Sequence, residues 1–137
     1  MNAVRHITLP GGFMAGAVHC GIKSTSHEDL TILACEADAS AAVLTTTNQV
    51  VGAPVLWLRR ILPRGYGKAR GMVVNSGCSN VCTGARGLAD AEAMAALTGR
   101  LLGCEAGKVL VASTGIICHC LPMDKVRKGI AAAAARL

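Results

Sequence analysis

KVLVASTGIICHCLPMDK, residues 108–125, is the stretch on which the fold turns. Val109, Leu110, Val111 and Ala112 make the short apolar run of a buried strand. Ser113, Thr114 and Gly115 break that run with small, turn-prone residues. Ile116 and Ile117 are apolar again, and Leu121-Pro122 opens a helix with proline at its first position. The segment predicts a strand that carries a Thr-Gly corner to the rim of a core. There a hydroxyl and a glycine N–H, held side by side on rigid elements, can both donate to one developing negative charge. The same letters also fit a plain buried strand ending in a turn.

Upstream, residues 87–102 predict a helix with Leu88, Ala91, Met94, Ala95, Thr98, Leu101 and Leu102 on one face. Asp90 and Glu92 lie early in it and Arg100 late, as the helix dipole favours, and Gly103 is placed to end it. Residues 71–74 predict a strand running into a loop of small hydrogen-bonding residues, 75–80. Ala53-Pro54 begins a helix with Val55, Leu58, Ile61 and Leu62 facing inward and Trp57 at the margin. Residues 30–35 read as a buried strand and residues 42–47 as a second strand candidate ending in threonines. Pro10-Gly11-Gly12-Phe13 is a turn into a small-residue stretch, and residues 24–29 form a polar loop. Downstream, Met123, Val126, Ile130, Ala134 and Leu137 form the stripe of a last helix. Strands and helices alternate, which is an α/β pattern.

The chain has 137 residues, enough for one domain or part of one. Phe13, Trp57 and Tyr66 are its only Phe, Trp or Tyr residues, so the core must be built from Ala, Val, Leu and Ile. Sixteen glycines exceed the average usage of ~7% and point to tight corners and close backbone approaches. The net charge is +6, and Arg59, Arg60, Arg64, Lys68 and Arg70 cluster in sequence. Such a cluster either faces an acidic or phosphate-bearing ligand or is a solvated helix end. Only Tyr66 is interleaved with it, so nucleic acid is not expected as a partner. No run approaches the ~18 apolar residues of a membrane span, and residues 1–13 do not read as a secretory signal. The seven cysteines are therefore expected as reduced thiols in a cytoplasmic protein.

Cys118-His119-Cys120, with Cys78 and Cys82, offers soft ligands, yet the alternating Cys-His-Cys spacing does not fit a zinc knuckle. In an extended strand His119 would point away from both neighbours. Neither Cys118 nor Cys120 has an evident base, and His6, His19 and His27 have no evident partner. Residues 26–29 spell Ser-His-Glu-Asp, but consecutive residues cannot adopt triad geometry and read as a solvated loop. Neither a dinucleotide fingerprint nor a Walker pattern is present.

Four blocks carry a more specific signal. They are GFMAGAVHCGIK (12–23), DLTILACEADASAAVLTTTNQVVGAPV (29–55), RGMVVNSGCSNVCTGARGLADAEAMA (70–95) and KVLVASTGIICHCLPMDK (108–125). In order and spacing they resemble the N-terminal part of the bifunctional ornithine acetyltransferase / N-acetylglutamate synthase family of arginine biosynthesis. The resemblance implies a mixed sheet with packed helices, the N-terminal portion of a self-cleaving acetyltransferase fold. It implies acetyl transfer from N-acetylornithine to glutamate through an acetyl-threonine, with acetyl-CoA as a second donor in bifunctional members. The nucleophile is a threonine freed by self-cleavage, whose own amine serves as base. Thr114 and Gly115 match the family's oxyanion pair. The resemblance implies no cofactor and no metal. Its partners are the β chain of the same precursor and further αβ units in a homo-oligomer.

Two departures stand out. Cys78 replaces the Asn usual after the NSG motif, and Cys118 and Cys120 replace a Gly and an apolar residue. The chain also lacks the segment that bears the nucleophile. Residues 1–137 are thus expected to be a partial N-terminal domain of the α chain, inactive alone. The last helix carries no stop signal, and its stripe Met123, Val126, Ile130 and Leu137 is the expected exposed face. The alternatives are a related self-cleaving amidase or aminopeptidase and a non-catalytic, thiol-rich metal-binding module.

Overall fold

The computed structural model of the chain describes Thr8 and residues 10–137. Four strands form one sheet in the order β1-β2-β3-β4. β1 (Phe13–Val18), β2 (Leu30–Ala42) and β3 (Tyr66–Cys78) are antiparallel neighbours, and β4 (Val109–Ile116) runs parallel to β3. The helices are α1 (Ala53–Ile61), α2 (Gly84–Leu102) and α3 (Met123–Ala134), with a short 3-10 turn at Ala106–Lys108. A parallel pair needs a long crossover, and α2 supplies it. This is the mixed sheet with packed helices that the resemblance implied.

Alternation along the strands decides what the sheet buries. Val18, Leu30, Ile32, Ala34, Val73, Val109 and Val111 share one face, and all are buried. α3 lies against β1 and β2, α2 against β3 and β4, and α1 against β4. Met94 and Ala95 of α2 and Val126 and Ile130 of α3 complete this core. With few aromatic residues, close approach replaces bulk. A Cβ on Gly16 would lie 2.1 Å from the Ala133 carbonyl oxygen, so β1 and α3 meet at a separation only glycine allows. The small-residue stretch around Gly16, which carried no strand signal of its own, is a strand for that reason.

Several sequence expectations need correction. Trp57 is not marginal: it is 5% exposed, and its indole N–H donates to the Val109 carbonyl at 3.0 Å. α1 has rolled to bury its largest side chain and satisfy its one polar atom, leaving Val55, Leu58 and Ile61 half-buried. Residues 43–48 are not a strand. Leu44 is fully exposed, the Asn48 N–H donates to Thr46 Oγ1 at 3.1 Å, and the Val50 N–H donates to Asn48 Oδ1 at 2.8 Å. Local side-chain bonds there compete successfully with a ladder. Residues 75–78 are not a loop but the last four residues of β3, and residues 113–115 do not break the strand before them but continue β4 to Ile116, paired with them. Pro122 stands at the N-cap of α3, one residue before its first turn, and α2 begins at Gly84, ends at Gly103 (φ +67°) as expected, and turns Leu101 outward.

The α3 stripe is also not the exposed face. Val126 and Ile130 are fully buried, and Met123 and Leu137 pack against the core. A helix that follows a strand returns to cover the sheet, so its stripe is consumed within the domain. The open apolar surface is the opposite face of the sheet, where Phe13, Leu33, Cys35, Met72 and Leu110 come together by strand register. Phe13 is 42% exposed and the others are half-buried. Among the described residues no helix covers this face. None of the described helices is long and apolar enough to cross a membrane.

Candidate active site

β3 and β4 end together, with Ser76 paired to Thr114 and Gly77 to Gly115. In open α/β sheets the carboxyl ends of parallel strands are where ligands bind. Thr114 is exposed there. Ser113, one residue earlier, faces the helices with its hydroxyl buried, so alternation turns Thr114 to the other side. Gly115 has φ +130°, and a Cβ on it would lie 2.3 Å from the Gly77 carbonyl carbon and 2.6 Å from the Cys78 nitrogen. Only glycine fits that corner. A cleft of ≈ 680 Å³ adjoins it, bounded by Lys23, Ser24 and Thr25 on one side and Ser76, Gly77, Thr114 and Gly115 on the other. Sites for small molecules are commonly of this size.

The loop at Lys23 is fixed by a residue that the sequence reading placed in a solvated loop. Asp29 is 2% exposed. Its carboxylate accepts the backbone N–H groups of Cys20 and Ile22 at 2.7 Å each and of Lys23 at 3.0 Å. Its own N–H donates to the Val18 carbonyl and its carbonyl accepts from Ser76, each at 2.9 Å. One residue thus ties β1, β3 and the cleft loop together. Ser26, His27 and Glu28 remain exposed, so residues 26–29 form no triad. His19, which had no evident partner in the sequence, lies 3.3 Å from Asp29 Oδ2 and 3.0 Å from the His27 carbonyl oxygen. His6 lies outside the described residues.

Burial alone would raise the Asp29 pKa, but the three N–H donors and the Cys20 thiol outweigh it and hold the carboxyl down to about 2. Burial and the Asp29 carboxylate in turn push the Cys20 thiol up to about 12. An aspartate in an unfolded chain titrates near ~3.9. The folded value is the lower, so Asp29 contributes stability above the unfolded pKa that is lost as pH falls through about 2. The shift corresponds to about 2 kcal/mol. Urea unfolding followed from about pH 6 to about pH 2 is expected to show that loss in the parent chain. In Asp29→Asn the same acid decline should be shallower, starting from a lower plateau.

The turn after β3 is held by buried amides. Asn75 donates to the Cys78 carbonyl at 2.8 Å. Asn80 donates to the Gly87 carbonyl at 2.9 Å and accepts the Thr83 hydroxyl at 2.7 Å. The Ser79 hydroxyl and N–H both donate to the Ile116 carbonyl at 3.0 Å. In the sequence Asn75, Asn80 and Asp29 stand only among the polar residues of the stretches 75–80 and 24–29. Their signal, small polar residues abutting apolar strands, is the signal of any turn.

The Cys118-His119-Cys120 segment is a surface loop rather than a strand, and the Cys78 thiol donates to the His119 carbonyl at 3.2 Å. Among the described residues no group of three or more His, Cys, Asp or Glu is placed to hold a metal ion. The basic cluster does not converge. Arg59 donates to the Thr46 carbonyl, Arg60 pairs with Glu92, Lys68 donates to Ser40, and Arg70 donates to the Glu36 carbonyl. These residues serve the fold at separate points.

A mixed sheet, helices on one face and a Thr-Gly corner opening on a cleft define an α/β domain with a candidate small-molecule site at its parallel strand ends. The chain belongs to the ArgJ family, whose model matches residues 14–137. It is 40% identical over 129 residues to the arginine biosynthesis bifunctional protein ArgJ of Rhodopirellula baltica, covering 94% of this chain and 31% of that protein. It is 44% identical over 131 residues to the protein of the same name from Caldanaerobacter subterraneus, covering 96% and 32%. The crystal structure of ornithine acetyltransferase from Mycobacterium tuberculosis, complexed with ornithine, matches with TM-score 0.87 at 39% identity, covering 94% of this chain and 69% of that one. The chain spans about a third of the length of these curated relatives.

Proposed function

We propose that this chain is the N-terminal part of an acetyltransferase α chain and that it supplies the oxyanion pair, Thr114 and Gly115. The reaction is transfer of acetyl from N-acetylornithine to glutamate through an acetyl-threonine, with acetyl-CoA as a further donor. The observation that carries this reading is the corner itself: an exposed threonine beside an obligate glycine, at paired strand ends, on a cleft. Attack on an acetyl carbonyl gathers negative charge on its oxygen. The Thr114 hydroxyl and the Gly115 N–H donate to that oxygen, on strands that need no rearrangement to do so. Lys23 brings a positive charge to the same cleft.

The nucleophilic threonine, the β chain of the same precursor and assembly of αβ units into a homo-oligomer belong to the remainder of the protein. The open sheet face of Phe13, Leu33, Met72 and Leu110 supports a larger unit, since contiguous apolar surface of that kind is normally covered. The names carried by the relatives favour an acetyltransferase over an amidase and over a metal-binding module.

The test is to express the complete reading frame that encodes this chain and supply N-acetylornithine with glutamate. Formation of N-acetylglutamate and ornithine, with the protein split into two chains, is the expected result. Release of free acetate with no acetylglutamate would instead identify an amidase.

A further inference from the structure

Cys82 precedes Thr83, the N-cap of α2, and Cys118 lies in the loop after β4. Their backbones have φ of +59° and +61°, in the left-handed region that side-chain-bearing residues seldom occupy. The Cys118 N–H donates to the carbonyl of Val81, the residue bonded to Cys82, at 3.0 Å. Standard peptide dimensions then keep the two Cα atoms within about 7 Å of each other. Disulfides span about 4.4–6.8 Å between Cα atoms. Both cysteines are exposed, whereas Cys78 is buried and Cys20, Cys35 and Cys104 are half-buried.

We propose that Cys82 and Cys118 form a reversible redox site, a surface dithiol that low-molecular-weight disulfides of the glutathione class oxidise to an internal disulfide. One thiol loses its proton and attacks a sulfur of the small disulfide. A protein–glutathione bond forms, and one glutathione thiolate leaves. The second thiol then loses its proton and attacks the protein sulfur of that mixed bond, expelling the second glutathione thiolate. The protein has lost two hydrogens, and one oxidised glutathione has become two reduced ones.

The two thiols are neighbours, and partial desolvation together with the Cys82 thiol raises the Cys118 pKa. Exposure and left-handed backbone at both ends put the disulfide among the labile, regulatory kind rather than the structural kind. Closure joins the leading turn of α2 to the loop that follows Ile116, directly after Thr114 and Gly115.

The test is to reduce the chain, expose it to oxidised glutathione, block the remaining thiols and map peptides by mass without reduction. Residues 71–86 and 109–125 are expected to appear joined, lighter by two hydrogens, and to separate when a thiol reductant is added. Cys120→Ser should leave the link intact. Cys82→Ser, at an exposed position, should abolish it and leave glutathione on Cys118. A link that survives Cys82→Ser, a link lost in Cys120→Ser, or glutathione on both cysteines without a link would each overturn the proposal.

Discussion

Thr114→Ala in the complete protein is expected to lower the rate of acetyl transfer on the order of 10²–10³-fold, the usual loss when one oxyanion donor is removed. The loss should fall on kcat, because the hydroxyl is needed where charge develops and not where substrate is first held. Thr114 is exposed, so the variant should fold with stability within about 0.5 kcal/mol of the parent. Thr114→Ser keeps the hydroxyl and should recover most of the rate. Steady-state kinetics with N-acetylornithine and glutamate, alongside unfolding of each variant, separates the outcomes. An unchanged kcat in Thr114→Ala would remove this residue from the reaction.

Gly115→Ala is expected to act on the fold instead. A φ of +130° is strained for alanine, at about 1–3 kcal/mol. The added Cβ would also lie 2.3 Å from backbone of β3, which cannot rotate aside as a side chain can. β3 and β4 must part at the point where both end in the cleft. A loss above ~3 kcal/mol is expected, a large share of the ~5–15 kcal/mol that holds a domain together. Gly107→Ala is the control, because a Cβ there meets nothing within 4 Å. Denaturant midpoints should drop sharply for Gly115→Ala and stay near the parent for Gly107→Ala. Equal midpoints for the two variants would mean that the strands accommodate the side chain.

The core was legible where one element carries its own signal. The strands at 30–35 and 109–112 and the helix ending at Gly103 follow from apolar runs, helical periodicity and a glycine stop. Each of these is a local pattern that a few residues establish. The small residues at 113–115, read as a break, instead continue β4 because β3 pairs with them. The roll of α1 onto Trp57 was not legible, because the partner of the indole N–H is the carbonyl of Val109, on a distant strand. The role of Asp29 was hidden for the same reason: three backbone N–H groups converge on it only once the loop before β2 is folded.

The sequence by itself determined the class of fold and the family, since these rest on periodicity and on ordered motifs along the chain. Only the tertiary structure decided which surfaces are spent. Periodicity shows that a stripe or face is apolar but not what covers it. The α3 stripe is therefore core and the far face of the sheet is open, the reverse of the expectation. Tertiary structure also decided that the Cys118 backbone bonds to Val81 and so brings Cys118 beside Cys82. Two turns that meet only after β3 and β4 pair leave no trace of that contact in either stretch of sequence.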